Sequence, residues 1–260
     1  KVALQFKNKG YAMGHTYRYD EDLEFLREME SKDLDELFTV LTKDKDGETR
    51  NTEWLTTNEL VKRFYPDHKQ YVELIMAELQ HFGGNSLANI LRGSGVMYKE
   101  VLCDVCNKLK VNYNKNMPTE TIEMNMFMKV LEDAISKMSK EEIEEIAKDF
   151  NITNASQGSI AMALQAVMRM GGFKTYQIIL IVVNAVWKSI FGHGLALATN
   201  AAVARYVSIF LGPIGWVITG IWTAVDIAGP AYRVTVPSVI YVAYLRQLAA
   251  QKAAEKSNIF

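Results

Sequence analysis

Apolar side chains recur at helical spacing through the first half of the chain. Leu34, Leu37, Phe38 and Leu41 occupy positions i, i+3, i+4 and i+7, which lie on one face of an α-helix. Similar spacings, with polar residues between them, continue from residue 20 to residue 149. The pattern predicts a succession of amphipathic helices in this part of the chain.

Start and stop signals divide this pattern into separate helices. Thr56-Thr-Asn-Glu59 and Ser139-Lys-Glu-Glu142 each match a capping box, in which a hydroxyl caps the first turn and a glutamate reaches back. Pro118 precedes a predicted long, methionine-rich helix over residues 119–138. Gly171-Gly172 is predicted to end a further helix, because glycine readily adopts the left-handed conformation found at helix ends.

Beyond residue 155 the predicted helices become apolar on almost all sides. We place them at Tyr176–Phe191, Leu195–Leu211, Ile214–Ile227 and Val236–Ala250. The segment that begins at Gln177 contains enough β-branched residues to form a strand. Its length, however, favours a buried helix. The predicted fold is all-α: a multi-helix bundle in which an acidic amphipathic N-terminal part packs on an apolar C-terminal helical hairpin bundle. Its predicted parts are a flexible arm (1–19), the acidic amphipathic helical part (20–154) and the apolar, basic helical part (155–260), with the hairpin at 195–227.

The longest stretch without a formally charged residue is twenty residues long, from Tyr206 to Val225. Twenty residues is about the length that a helix needs to cross a bilayer. Gly212-Pro213 interrupts the stretch, and proline breaks or kinks a helix interior. The resulting arms of about 14–17 residues span roughly 21–26 Å, which is shorter than the ~30 Å hydrocarbon core. We therefore predict a helical hairpin with its turn at Gly212-Pro213 rather than a transmembrane span.

Charge is distributed unevenly between the two parts of the chain. Residues 1–170 carry 22 Lys/Arg and 28 Asp/Glu, whereas residues 171–260 carry 7 and 2, so the net charges are −6 and +5. A basic, apolar segment suits an anionic membrane surface or an acidic partner, which includes the chain's own first part. The acidic first part argues against nucleic acid as a partner. The residues predicted to contact membrane are Phe210, Ile214, Trp216, Ile218 and Trp222.

Three clusters have spacings found in metal or redox sites, and each has a simpler interpretation. Cys103 and Cys106 lack the second cysteine pair of a structural zinc site and lie in a predicted helix, so we interpret them as ordinary thiols. Glu78 and His81 have the i, i+3 spacing of di-iron bundles, but the sequence holds no second such pair. Residues 42–53 resemble a calcium loop, while an Asp-Gly turn between two helices explains the same residues. We predict no catalytic site, no metal and no cofactor.

A glycine-rich corner joins predicted helices between residues 77 and 100. Gly83-Gly84 follows a helix end, and Asn85 or Ser86 is placed to cap a short helix that ends at Gly93. The residues predicted to bind a partner protein at this corner are His81, Phe82, Gly83, Gly84, Asn85, Arg92 and Tyr98.

The same corner resembles part of a known family. The strings Glu78-Leu-Gln-His-Phe-Gly-Gly-Asn-Ser-Leu-Ala-Asn89, Leu91-Arg-Gly93 and Gly229-Pro-Ala-Tyr-Arg-Val-Thr-Val-Pro237 are similar to the YaaW-like family of uncharacterised bacterial proteins. That family is sometimes grouped with ubiquinol–cytochrome c chaperones. The resemblance extends from about Tyr19 to Gln251, and it implies no particular catalytic or binding residues.

Two functions from different classes remain open. In the first, a non-enzymatic protein associates with membrane through its apolar hairpin, and the acidic part covers or regulates the hairpin, similar in pattern to pore-forming proteins. In the second, a chaperone-like assembly factor binds a partner protein through the Gly-Gly corner and the methionine-rich helix. The alternative for the hairpin is a permanently buried core. Residues 1–10 lack the apolar core of a secretory signal, so we expect a cytoplasmic location, peripheral at the inner membrane in the first case.

Overall fold

The computed structural model describes residues 15–44, 47–50, 54–83, 95–149, 151–195, 201–228 and 232–257. The ten α-helices within these ranges are α1 (Ser31–Thr42), α2 (Glu59–Phe64), α3 (Val72–Gly83), α4 (Tyr98–Lys108), α5 (Thr119–Ile135), α6 (Lys140–Asp149), α7 (Gln157–Met170), α8 (Gly172–Phe191), α9 (Ala201–Ala228) and α10 (Tyr232–Ser257). Short 3-10 helices cover Glu24–Glu28, Leu55–Thr57 and His68–Tyr71. The described ranges hold no β-strand beyond one isolated bridge between Lys43 and Thr49. The predicted all-α bundle is confirmed.

The local signals in the sequence place several helix ends correctly. At α6 the Ser139 amide donates to Glu142 at 2.7 Å and the Glu142 amide donates to the Ser139 hydroxyl at 3.2 Å, which forms the predicted capping box. Gly171 follows α7 with a φ of +72°, as the Gly-Gly stop predicts. The cap of α2 differs from the prediction, because Asn58 rather than Thr56 accepts a bond from the Leu60 amide.

The two most deeply buried helices belong to the apolar part of the chain. α8 is helical through the β-branched run and buries its whole middle section, from Ile178 to Trp187. α10 is buried without interruption from Val234 to Leu245 and packs against α1, α3, α4 and α8. Helices that are apolar all round need neighbours on every side, and these two form the centre of the molecule.

The predicted hairpin turn at Gly212-Pro213 is wrong, because α9 continues through both residues. Proline in a helix interior removes one hydrogen bond and crowds the preceding turn, at a cost of about 3 kcal/mol. Packing compensates for this cost: α9 lies along α5 and α8 and buries Phe210, Ile214 and Ile218 on one side. Tertiary contacts on both sides of Pro213 therefore hold together a helix that local propensity alone would interrupt.

A common hydrophobic core joins the acidic and apolar parts. The buried cluster runs from Leu23, just before the first 3-10 helix, to Leu248 on α10, and it includes residues of both parts. The acidic helices thus cover the apolar ones, as the charge asymmetry of the sequence predicts.

Candidate functional site

A buried ion pair connects α10 to the N-terminal part of the chain. The Arg246 side chain donates from Nε to Oε2 of Glu123 at 2.9 Å and from a terminal nitrogen to the Asp22 carbonyl at 2.7 Å. The Tyr98 hydroxyl donates to the other oxygen of Glu123 at 2.7 Å. Burial raises the pKa of Glu123, and the charge of Arg246 opposes that rise. The partners satisfy both oxygens of the carboxylate, so the cluster fixes the position of α10 rather than offering a reactive group.

Two further polar contacts connect the apolar helices to α1. The Lys252 ammonium lies 2.6 Å from the buried Asp33 carboxylate, and the Tyr241 hydroxyl donates to the Asp33 carbonyl at 3.0 Å. The indole of Trp187 on α8 donates to Glu36 at 2.7 Å. These bonds join surfaces that are otherwise apolar and set their register.

A second buried polar cluster surrounds His68. Its Nε2 lies 2.6 Å from the Asp35 carboxylate, and its Nδ1 lies 2.7 Å from the Tyr71 hydroxyl. Burial lowers the pKa of His68, while the hydrogen bond and charge of Asp35 oppose the change. The order of groups resembles a catalytic relay, but burial raises the pKa of the Tyr71 hydroxyl well above its usual value, so it is not available as a nucleophile.

The predicted protein-binding corner lies only partly within the described residues. Gly83 ends α3, and Gly84, Asn85 and Arg92 fall outside the described ranges. The side chains of Phe82 and Tyr98 are buried. His81 is exposed at the end of α3, where its ring stacks on His15 with the ring centres 3.4 Å apart. Although the residue is exposed, partial desolvation of its ring, together with the neighbouring His15, lowers the pKa of His81.

The other candidate clusters have structural roles where they are described. Cys103 and Cys106 are free and buried on α4, and burial raises the pKa of the Cys106 thiol to about 12, so it is not a nucleophile near neutral pH. Nδ1 of His15 lies 2.7 Å from the buried Glu78 carboxylate. Within the candidate calcium loop, Gly47 has a φ of +81°, which fits the Asp-Gly turn, although residues 45–46 and 51–53 lie outside the description. No group of three His, Cys, Asp or Glu among the described residues could hold a metal ion.

The residues predicted to contact membrane occupy different environments. Phe210, Ile214 and Ile218 are buried against neighbouring helices, whereas Trp216 is 70% exposed. Trp222 lies on α9, and its side chain is outside the description. Among the helices of the described ranges, none combines the length and apolarity of a membrane span.

Sequence reasoning missed an exposed apolar surface on α7 and at the start of α8. It consists of Met162, Ala166, Met170 and Phe173, which we call the α7 stripe; its three large side chains are 67%, 71% and 53% exposed, respectively. Positions 162, 166 and 170 are spaced four residues apart and share one helix face. The signal for this surface was the absence of any charged residue between Gln157 and Met168.

The opposite face of α7 explains why the stripe remains exposed. Ile160, Leu164 and Met168 are buried and pack toward α5 and α8. The helix is therefore apolar on two sides and covered on one. Arg169 and Lys174 are exposed beside the stripe, and neither forms an ion pair within the described residues.

Comparison with known proteins identifies the family to which these features belong. A protein from Helicobacter pylori (strain J99), described as a UPF0174 protein, is 49% identical over 246 residues, which cover 94% of this chain and 97% of the relative. The UPF0174 protein YaaW from Escherichia coli (strain K12) is 31% identical over 245 residues, covering 92% of this chain and 98% of the relative. The chain belongs to the UPF0174 family.

Two family models match successive parts of this UPF0174 chain. Residues 17–51 match a domain of unknown function, DUF3944, and residues 67–240 match the family described as Ubiquinol-cytochrome C chaperone. The second match contains the whole of α3 to α9 and therefore the α7 stripe. No solved structure matches the chain. The resemblance to YaaW-like proteins and to the chaperone grouping is confirmed.

Proposed function

We propose that this UPF0174 protein is a non-catalytic, chaperone-like assembly factor that binds an apolar helix of a partner protein on the α7 stripe. The observation that carries the proposal is the exposure of Met162 and Met170 on α7, whose other face is already buried in the core, together with the exposure of Phe173 at the start of α8. Contiguous apolar groups in contact with water are a recurrent property of protein-binding surfaces.

The chemistry of the stripe suits a helical partner. Methionine is unbranched and polarisable, so it adapts to side chains of different shape. The eight residue steps from Met162 to Met170 extend about 12 Å at 1.5 Å per step, which matches two turns of a partner helix laid along α7.

The charges beside the stripe specify one end of the partner. Arg169 and Lys174 are exposed near Phe173 at the junction of α7 and α8. A partner helix with acidic residues at that end would form two ion pairs there, and these pairs would fix its direction more than its affinity.

The family match supports the same class of function. The name of the matched family describes a chaperone, and its matched residues include the stripe. The first hypothesis from the sequence, membrane association through the apolar hairpin, would require Phe210, Ile214 and Ile218 to leave the core in which they are buried. The methionine-rich helix of the second hypothesis corresponds to α5, and its Met126 is buried. The α7 stripe, by contrast, needs no rearrangement to bind a partner.

A peptide-binding assay tests the proposal. The probe is a fluorescein-labelled amphipathic helical peptide with leucines on one face and glutamates at one end, and its control is a scrambled peptide of the same composition. We expect micromolar binding of the helical peptide and at least tenfold weaker binding by the Met162→Gln/Met170→Gln variant. Both side chains are exposed, so the variant should fold normally.

A matched control variant separates a specific surface from general stickiness. Leu60→Gln removes another exposed apolar side chain, far along the chain on α2, and should leave binding unchanged. Equal binding of the helical and scrambled peptides, or unchanged binding by the double variant, would overturn the proposal.

A further inference from the structure

A lysine-lined cleft lies between α4, α5 and α9. Its volume is about 600 Å³, and its walls include Lys108 and Lys110 at the end of α4, Lys129 and Lys137 on and after α5, and Trp216 on α9. This volume is within the range of clefts that bind small molecules. The cleft is separate from the α7 stripe, and its occupant does not depend on the proposed function.

The charge of the cleft is strongly positive. Asp133 is the one carboxylate among its described lining residues, and it is already paired with Lys129. The Lys108 ammonium lies 4.9 Å above the ring of Tyr232, a contact that leaves its charge in place. Three lysine charges therefore remain without a carboxylate in the cleft, and such a surface attracts anions.

The backbone conformation of Lys110 indicates independently that its side chain has a function. Lys110 has a φ of +55° immediately after α4, where the Val111 amide bonds to the Cys106 carbonyl at 2.9 Å. After α8 and after α6 the same left-handed conformation is adopted by Gly192 and Asn151, respectively. Glycine and asparagine are the residue types that this conformation favours. A lysine there is strained, and attraction to the helix dipole offsets only part of the strain.

The exposed tryptophan on one side of the cleft indicates which further chemical group a bound anion contains. Trp216 is 70% exposed although it lies on a helix that buries its neighbours Ile214 and Ile218. An exposed indole beside free ammonium groups can stack on a flat ring or cover an apolar chain while the lysines hold a phosphate.

We infer that this cleft binds a phosphorylated ligand through its lysines and holds the ligand's flat or apolar group on Trp216. A nucleotide and a phospholipid headgroup with its chain both have this chemistry. The lysines supply affinity for phosphate, and the indole distinguishes such ligands from inorganic phosphate.

Calorimetric titration of the full chain with three probes tests the inference. The probes are ATP, dioctanoyl phosphatidic acid below its critical micelle concentration, and inorganic pyrophosphate, all at physiological ionic strength. We expect ATP or the phosphatidic acid to bind at least tenfold more tightly than pyrophosphate. Tighter binding of ATP identifies a nucleotide site, and tighter binding of phosphatidic acid identifies a lipid site.

Two variants connect binding to the named side chains. Trp216→Ala should reduce the affinity for the preferred probe to that for pyrophosphate. Lys110→Gly should weaken binding about tenfold while it raises the melting temperature by about 2–4 °C, because glycine relieves the left-handed strain. A loss of binding together with a gain in stability cannot result from misfolding. Lys62→Gln, which removes an exposed lysine of α2 outside the cleft, is the matched control.

Three results would overturn the inference. The first is no binding of any probe at millimolar concentration. The second is equal affinity for all three probes, which would remove the role of Trp216. The third is unchanged binding in both Lys110→Gly and Trp216→Ala.

Discussion

Replacement of Arg246 by methionine tests whether the buried ion pair holds α10 in place. Arg246 is only 13% exposed, and its partner Glu123 is almost completely buried. The change keeps an unbranched apolar stem and removes the charge, the 2.9 Å bond to Glu123 and the 2.7 Å bond to the Asp22 carbonyl. It also removes the guanidinium from above the Phe25 ring, 4.4 Å away.

The expected loss of stability follows from the carboxylate that remains. Removal of one partner of a buried pair costs about 3–5 kcal/mol, because the other charge is left uncompensated in a medium of low polarity. The Tyr98 hydroxyl still donates to Glu123, which reduces the penalty without removing it. We expect a decrease of about 4 kcal/mol in the free energy of unfolding and, at roughly 2 °C per kcal/mol for a chain of this size, a melting temperature about 8 °C lower.

Urea denaturation followed by circular dichroism measures the effect, and two further variants interpret it. Arg205→Met removes an exposed arginine that lies 2.8 Å from Glu145, and it should cost less than about 1 kcal/mol. Adding Glu123→Gln to Arg246→Met removes the uncompensated charge, so the double variant should recover part of the stability lost by the single variant.

The pH dependence supplies the result that would refute this reasoning. Burial raises the pKa of Glu123, and without Arg246 that pKa rises further. The native variant then retains a proton that the unfolded chain loses above about pH 4.3, so its stability decreases as the pH rises. The difference from the wild type should be smaller at pH 5 than at pH 8. An equal difference at both pH values, or a loss no larger than that of Arg205→Met, would show that Arg246→Met leaves no uncompensated charge on Glu123.

Two other predictions concern α9 and His68. Gly212→Ala should raise the free energy of unfolding by about 0.5–1 kcal/mol, because an added Cβ meets nothing within 4 Å and alanine favours a helix interior; lower stability in urea denaturation would contradict a continuous α9. Burial lowers the pKa of His68, so the unfolded chain binds more protons than the native state below about pH 6.5, and stability should fall as the pH decreases from there. The urea midpoint should therefore change less between pH 7 and pH 5 in His68→Gln than in the wild type, and equal slopes would count against a neutral buried His68.

The sequence was sufficient to predict those elements that depend on local signals. The capping box at Ser139 forms as expected, and the stop at Gly171 ends α7. The β-branched run after Gln177 is helical because twenty residues without a turn signal are too long for a strand, and full burial then favours the apolar helix that satisfies its own backbone.

The course of α9 could not be read from local signals, because it depends on packing. Proline at position 213 has the same local preference whether or not α5 and α8 lie beside it. The predicted break also concealed the helix phase: Phe210, Ile214 and Ile218 are four residues apart and form one buried face only if the helix continues. Trp216 falls outside that face, and this is why it is exposed.

The two candidate sites could not be predicted from the sequence for a related reason. α7 is apolar on more than one side, and only the positions of α5 and α8 decide which side is covered. The lysines of the cleft lie on or just after two helices, α4 and α5, and converge with Trp216 only when α9 packs against α5. Their separation along the chain leaves no motif for sequence reasoning to find.

The anchors of α10 bear on the choice between membrane insertion and partner binding. A cover that opens would have to separate Arg246 from Glu123 and Lys252 from Asp33, and each separation leaves a buried carboxylate without its cation. Release of α9 alone avoids those anchors, and lipid would compensate for exposing Phe210 and its neighbours. Lipid would not compensate for the faces of α5 and α8 that α9 now covers, at about 2 kcal/mol for each large apolar side chain exposed to water. The α7 stripe carries neither cost, and this favours a function in which a partner binds to the protein in its packed state.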